Sequence, residues 1–151
     1  VFITYYIRLM SNKYLNFFIL KVFFLINEDE DGDDTFLLKN IPKKSYDKFM
    51  YHFILNFNIT NEVLVISLCL LYQIRDKILI NENSVYLLSI MVIRIAEKYH
   101  EDKHYFNVYW ADKFKINLKI FNLLEYKLLI LFNFKIHVTE IEYNNINSQV
   151  L

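Results

Sequence analysis

Residues 84–102 read SVYLLSIMVIRIAEKYHED, and this stretch predicts a long helix at the centre of the fold. Ser84 is a residue type that caps helix N-termini, and the helix is expected to reach Tyr99. Apolar side chains recur along it with helical spacing: Leu88, Met91, Val92 and Ile95.

Two helices are predicted on the N-terminal side of this segment. Pro42 and Ser45 are start signals for the first, which Asn58 ends. Its aromatic stripe recurs every four residues: Phe49, Phe53 and Phe57. Thr60 is the expected N-cap of the second, which reaches about Asp76. Its inward stripe is Leu64, Leu68 and Leu71.

Three further helices are predicted on the C-terminal side. A charged loop at 100–104 leads to a short aromatic helix near 107–114, and Asn117 caps the next helix. That helix carries the apolar residues Ile120, Leu123, Leu124, Leu128 and Leu131. Thr139 and Glu142 have the spacing of a capping box. The expected class is therefore all-α, with five body helices and an added C-terminal helix.

Length and composition agree with a single helical body. A chain of 151 residues is long enough for one hydrophobic core, and one Gly and one Pro are too few for a many-turned all-β fold. Lys plus Arg equals Asp plus Glu at 17 each, which gives no reason to expect a nucleic-acid partner. The single cysteine, Cys69, fits a reducing compartment, either cytoplasm or nucleus.

The N-terminal region is expected to be separate from this body. The apolar run 14–26 contains Lys21 and is shorter than the about 20 residues that a membrane-spanning helix needs, so we predict a packing helix and no membrane partner. The acidic segment 28–34 reads as a solvated linker. The predicted division is an arm with linker at 1–40 and one domain at 41–151.

No catalytic or metal-binding pattern stands out. His100 and His104 would share a helix face, but no third ligand follows at a diagnostic spacing; a small helical metalloenzyme is the weaker alternative. The acidic segment fails as a calcium loop, because Asp34 replaces the required Gly and Asn40 the required Glu. Gly32 is the only glycine, which excludes glycine-rich phosphate loops. We predict no catalytic residues, metal, cofactor or small-molecule substrate.

Four short motifs together resemble the cyclin box in order and spacing. They are IAEKYHED at 95–102, YWAD at 109–112, Leu-Glu at 124–125 and LFNF at 131–134. The resemblance covers about 45–143 and is best to single-box P-type cyclins, which are related to the fungal phosphate-pathway cyclin. It implies a five-helix cyclin box and a non-catalytic subunit that binds and activates a cyclin-dependent protein kinase.

The resemblance also implies the binding residues. Lys98 and Glu125 fall on the positions with which cyclins hydrogen-bond the kinase near its αC helix. Ile93, Phe121 and Leu129 are expected to add an apolar platform on the outer faces of their helices. Taken singly, a lysine at a helix C-terminus is favourable in any protein, so the assignment depends on the joint match.

Some positions depart from the family pattern. The Asp-Arg pair that usually ends the second helix corresponds to Tyr72 and Gln73, and the arginine of the first helix corresponds to His52. We therefore expect an internal ion-pair network to be lost and no substrate-docking patch on the first helix. The alternative function is a transcription-related helical scaffold of cyclin-box type, which the neutral net charge weakens.

Overall fold

The computed structural model describes residues 12–26, 36 and 45–150, and this part of the chain is helical without any strand. The all-α prediction is therefore confirmed. The helices are α1 (Lys13–Leu25), α2 (Tyr46–Phe57), α3 (Asn61–Ile74), α4 (Val85–His100), α5 (Asn107–Lys113), α6 (Leu118–Leu131) and α7 (Glu140–Val150). The predicted acidic linker at 28–34 and the start signal Pro42 lie outside the described residues.

Local capping chemistry sets several of the helix boundaries. Thr60 Oγ1 accepts from the Val63 backbone N–H at 3.3 Å, and Asn117 Oδ1 accepts from that of Lys119 at 2.9 Å. Asn58 ends α2 in the left-handed region with φ of 52°, which asparagine tolerates better than most residues. These three predicted boundaries are confirmed.

The last helix begins with the predicted capping box. Thr139 Oγ1 accepts from the Glu142 backbone N–H at 3.1 Å, and Glu142 Oε1 accepts from the Thr139 N–H at 3.3 Å. Ser84 precedes α4 as predicted, but its hydroxyl does not cap that helix. It accepts instead from the Asn81 backbone N–H at 3.0 Å, which closes the preceding turn.

Helix α4 is the centre of the molecule, as its sequence predicts. Every residue from Val85 to Glu97 is buried, because α3 and α6 pack against it and other parts of the chain cover its remaining sides. A helix that is apolar on nearly all sides has this placement in a globular protein. The helix reaches solvent only in its last turn, at 98–100.

The short helix α5 is held by aromatic packing against α2. An isolated helix of its length is unstable in water, so its order depends on tertiary contacts. The Phe57 ring lies 4.3 Å from the Trp110 ring and stacks on Phe114 at 5.5 Å, while Phe53 meets Trp110 edge-on at 5.3 Å. The predicted aromatic stripe of α2 thus fixes the position of α5.

Helix α1 shares the hydrophobic core, so the prediction of a packing helix at 14–26 is confirmed. It packs on α2, α3 and α7, and its inward residues are buried: Leu15, Phe18, Ile19 and Val22. The Tyr14 hydroxyl donates to Asn147 Oδ1 of α7 at 2.9 Å. Within the described residues, no helix has the length and apolar character needed to cross a membrane.

We predict that two identical substitutions on α1 have opposite consequences for stability. Phe18→Ala removes a ring that is 0% exposed and should lower the free energy of unfolding by about 3 to 5 kcal/mol. Phe24→Ala changes a ring that is 77% exposed and should stay within about 0.5 kcal/mol of the wild type. Chemical denaturation of both variants tests this. Equal losses would contradict the packing of α1.

Candidate partner-binding site

Lys98 and Glu125 form an ion pair on the surface of the molecule. Lys98 lies in the last turn of α4 and Glu125 lies in α6, and the ammonium nitrogen is 2.8 Å from Oε1 and 3.0 Å from Oε2. The two side chains are 34% and 15% exposed. The structure therefore brings the two sequence-predicted site residues into direct contact on one wall.

Helix packing explains why the two side chains meet. Phe121, Leu124 and Leu128 are buried and face the core, which leaves Glu125 at the edge of the buried stripe of α6. Lys98 follows the last buried residue of α4, and its charge is favourable near the negative end of that helix. Because α4 packs against α6, the end of one helix faces the middle of the other.

A shallow groove of about 220 Å³ adjoins the ion pair. It is lined by Ile95, Lys98, Tyr99, Glu125, Leu129 and Ile136. The exposed side of α6 is also rich in large apolar residues, and Tyr126 contacts the exposed Phe134 with ring centres 5.8 Å apart. The surface thus combines one charge pair with apolar area, a composition found at protein–protein interfaces.

The structure corrects two of the three predicted platform residues. Ile93 and Phe121 are each 0% exposed, so neither lies on an outer face. Ile93 belongs to the enclosed part of α4, and Phe121 belongs to the inward stripe of α6. Leu129 is half-buried and lines the groove. Sequence reasoning missed Tyr99, whose ring is 43% exposed directly after Lys98.

Behind the ion pair lies a buried polar network that the sequence analysis missed. Arg94 is only 1% exposed, and its Nη1 donates to Glu97 Oε1 at 3.0 Å and lies 3.3 Å from His104 Nδ1. Its Nε donates to Asn107 Oδ1 at 2.7 Å, and its guanidinium lies over the Trp110 ring at 5.6 Å. The sequence feature that could have indicated this network is Arg94 itself, a charged residue within an otherwise apolar helix.

The network extends to the surface pair through Asn107. Its amide nitrogen donates to Asn122 Oδ1 at 2.8 Å and to Glu125 Oε2 at 3.3 Å. Asn107 is the first residue of α5, so it links that helix to α6 as well as to α4. A chain of hydrogen bonds therefore runs from the buried Arg94 to the exposed Lys98.

Burial dominates the electrostatics of the two enclosed charges. Desolvation raises the pKa of Glu97 above its ordinary value, and the neighbouring Arg94 charge only partly offsets this. Desolvation likewise lowers the pKa of Arg94, against the effect of Glu97. Each charge makes the burial of the other tolerable, as in other buried ion pairs.

The two candidate metal ligands are not on one helix face. Helix α4 ends at His100, and His104 lies in the following loop beside Arg94. Among the described residues, no group of three or more His, Cys, Asp or Glu side chains could hold a metal ion.

Gln73 is an uncharged residue in the place where the cyclin resemblance leads one to expect part of an Asp-Arg pair. Gln73 Nε2 donates to the His137 carbonyl oxygen and to Glu142 Oε2, both at 2.9 Å. These bonds join the end of α3 to the start of α7. Hydrogen bonds from an uncharged side chain thus hold together the ends of two helices.

The arrangement can be compared with known protein families. Residues 33–136, more than half of the chain, match the family model described as Cyclin. The chain belongs to the cyclin family. The matched region contains α2 to α6 and both residues of the surface ion pair, whereas α1 and α7 lie outside it. A comparison with curated proteins found no match. Cyclins are regulatory rather than catalytic proteins, so the polar network described above belongs to a regulatory protein.

We predict a pH-dependent stability difference between this cyclin and its Glu97→Gln variant. Because burial raises the pKa of Glu97, the folded state holds that proton more tightly than the unfolded state. The stabilising contribution of protonated Glu97 is present below about pH 4.5 and is lost as pH rises through the folded-state pKa. Glutamine cannot titrate, so the stability of the wild type relative to the variant should fall as pH increases.

Unfolding by denaturant at several pH values from about 4 to about 7 measures this difference. Glu62→Gln, at an exposed site in the first turn of α3, is the matched control. A difference between wild type and Glu97→Gln that does not change with pH would contradict the role given to burial.

Proposed function

We propose that this cyclin binds a cyclin-dependent protein kinase and activates it by positioning the kinase αC helix. The observation that supports this most directly is the Lys98–Glu125 pair, which lies beside an apolar groove on the wall formed by α4 and α6. Both residues fall on the positions that the cyclin resemblance assigns to kinase contact. The family membership of the chain makes a regulatory role the starting point.

The charged pair has bonding capacity left for a partner. An ammonium group has three hydrogens, and the two bonds to the Glu125 carboxylate leave one of them for another acceptor. Each carboxylate oxygen can accept more than one hydrogen bond. In the proposed complex, Lys98 donates to a backbone carbonyl of the kinase and Glu125 accepts from a backbone N–H. Such charge-assisted bonds orient the two proteins.

Apolar contact supplies affinity in this proposal. Leu129 and Tyr99 line the groove beside the pair, and Tyr126 and Phe134 add exposed rings on α6 and just after it. Aromatic side chains contribute strongly at protein interfaces because they bury large area with few rotatable bonds. An apolar side chain of the kinase αC region would enter the groove between the two helices.

The proposed mechanism is conformational. A protein kinase is active only when its αC glutamate pairs with the lysine that holds the ATP phosphates, and this helix is mobile in many inactive kinases. The wall that α4 and α6 form rests on the buried core, so it presents a fixed surface. Binding to that surface would stabilise the active position of αC without any chemistry by the cyclin.

Two finer assignments belong to this proposal. The motifs at 95–102 and 109–112 resemble those of single-box P-type cyclins, and we assign the chain to that group. We also place its activity in the cytoplasm or the nucleus. Neither assignment is needed for the kinase-binding site itself.

Measured binding and activation test the proposal. The full chain is mixed with cyclin-dependent kinases of the same organism, and affinity and peptide phosphorylation are recorded. We expect capture of at least one kinase and an increased rate. Lys98→Ala combined with Glu125→Ala should weaken affinity about tenfold or more, since the hydrogen bonds that both charges make to the partner are lost.

The matched control is Lys48→Ala combined with Glu62→Ala. It removes the same two charges from exposed positions on α2 and α3 and should change affinity less than about twofold. Equal affinity for the Lys98 and Glu125 double variant and the wild type would contradict the site. Absence of capture by wild type would contradict kinase binding and favour a helical scaffold of another kind.

A further inference from the structure

The amide of Asn107 has a single orientation because of its neighbours. Arg94 Nε can only donate a hydrogen bond, so the atom of Asn107 that lies 2.7 Å from it must be the oxygen. The amide nitrogen therefore faces α6, where its two hydrogens point to Asn122 Oδ1 and Glu125 Oε2. The oxygen and both hydrogens of this amide are therefore engaged in hydrogen bonds.

The anchor of this arrangement is buried. Arg94 is 1% exposed and is held by Glu97, by His104 and by the face of Trp110. Since its guanidinium cannot turn without breaking several of these contacts, the Asn107 oxygen is bound to a fixed point. Through its hydrogen bonds to both groups, Asn107 connects the buried Arg94 guanidinium to the Glu125 carboxylate.

A glutamate on a helix surface otherwise has considerable rotational freedom. Ordering such a side chain during association costs binding free energy, and that cost falls when the side chain is already held. Lys98 alone does not remove this freedom, because a flexible ammonium can follow the carboxylate. The bond from Asn107 to Oε2 supplies a second point of attachment on a rigid element.

We propose that Asn107 is a positioning residue that holds the Glu125 carboxylate ready for the partner kinase, with the buried Arg94 as its anchor. This inference rests on the proposed function in naming the kinase as partner. Asn107 itself need not touch the kinase. Its contribution is made through Glu125, and this distinguishes it from a residue that merely stabilises the fold.

The variant Asn107→Asp changes only the side of the amide that faces α6 and keeps the oxygen that faces Arg94. Aspartate keeps the oxygen that accepts from Arg94, and an acid in the first turn of a helix is favourable, so the fold should be retained. The donor that faces α6 becomes an acceptor and repels the Glu125 carboxylate. Asn107→Ala, measured in parallel, deletes the amide without adding charge.

Kinase affinity is measured in a double-mutant cycle with Glu125→Ala. We expect Asn107→Asp to weaken binding about tenfold in the wild-type background, and less than about twofold when Glu125 is already alanine. Asn107→Ala should also weaken binding more in the wild-type background than in the Glu125→Ala background, but the loss of affinity should be smaller than for Asn107→Asp. Equal losses in both backgrounds, or no loss in either, would overturn the inference.

Asn144→Asp is the matched control, because it makes the same charge change at an exposed position on α7. A second measurement needs no kinase. The carbon-13 chemical shift of the Glu125 carboxyl group in the free chain should move in Asn107→Asp and stay constant in Asn144→Asp. An unchanged Glu125 chemical shift in Asn107→Asp would overturn the inference. Failure of the wild type to bind any kinase would overturn only the proposed function.

Discussion

The enclosure of α4 is the constraint on which the rest of this structure depends. A helix surrounded on nearly all sides must be apolar or must bring partners for every polar group that it buries. Arg94 and Glu97 are the two charged residues in the enclosed part of α4, and they meet this requirement by binding each other. The remaining donors of Arg94 then have to be satisfied from outside the helix. Asn107 supplies an acceptor for Nε, and His104 Nδ1 lies 3.3 Å from Nη1.

This requirement connects the core to the surface. His104 and Asn107 come from the loop after α4 and from the first turn of α5, so satisfying Arg94 also fixes where the chain goes after α4 ends. Asn107 then reaches α6 through Glu125. The same set of bonds that makes a buried arginine tolerable therefore orders the carboxylate of the candidate site. In the proposed complex, the stability of the core and the geometry of binding would therefore depend on one network.

The features that sequence analysis predicted correctly are mainly those that depend on residues close to one another in the chain. Thr60, Asn117 and the pair Thr139 and Glu142 cap their helices as expected, because capping depends on residues two or three positions apart. The central place of α4 also followed from its continuous apolar character. These features require no knowledge of which helices touch.

Long-range features were harder to predict for a physical reason. Lys98 and Glu125 are 27 positions apart, and only the family resemblance, not spacing, suggested that they act together. Ile93 was placed wrongly because α4 is apolar on nearly all sides, so no periodicity separates an inner from an outer face. Phe121 was placed wrongly although it shares the helical spacing of the inward residues Leu124 and Leu128. The role of Arg94 depends on neighbours from two other segments, the loop after α4 and helix α5, which periodicity does not identify.

The helices outside the family match add to this picture. α1 and α7 both pack mainly on α3, α1 also contacts α2 and α7, and Gln73 near the end of α3 binds the start of α7. They thus cover the α3 side of the bundle. The wall formed by α4 and α6 carries the ion pair and the groove. An added helix on α3 can strengthen the core without occupying that wall, so α1 and α7 do not cover the surface proposed for binding.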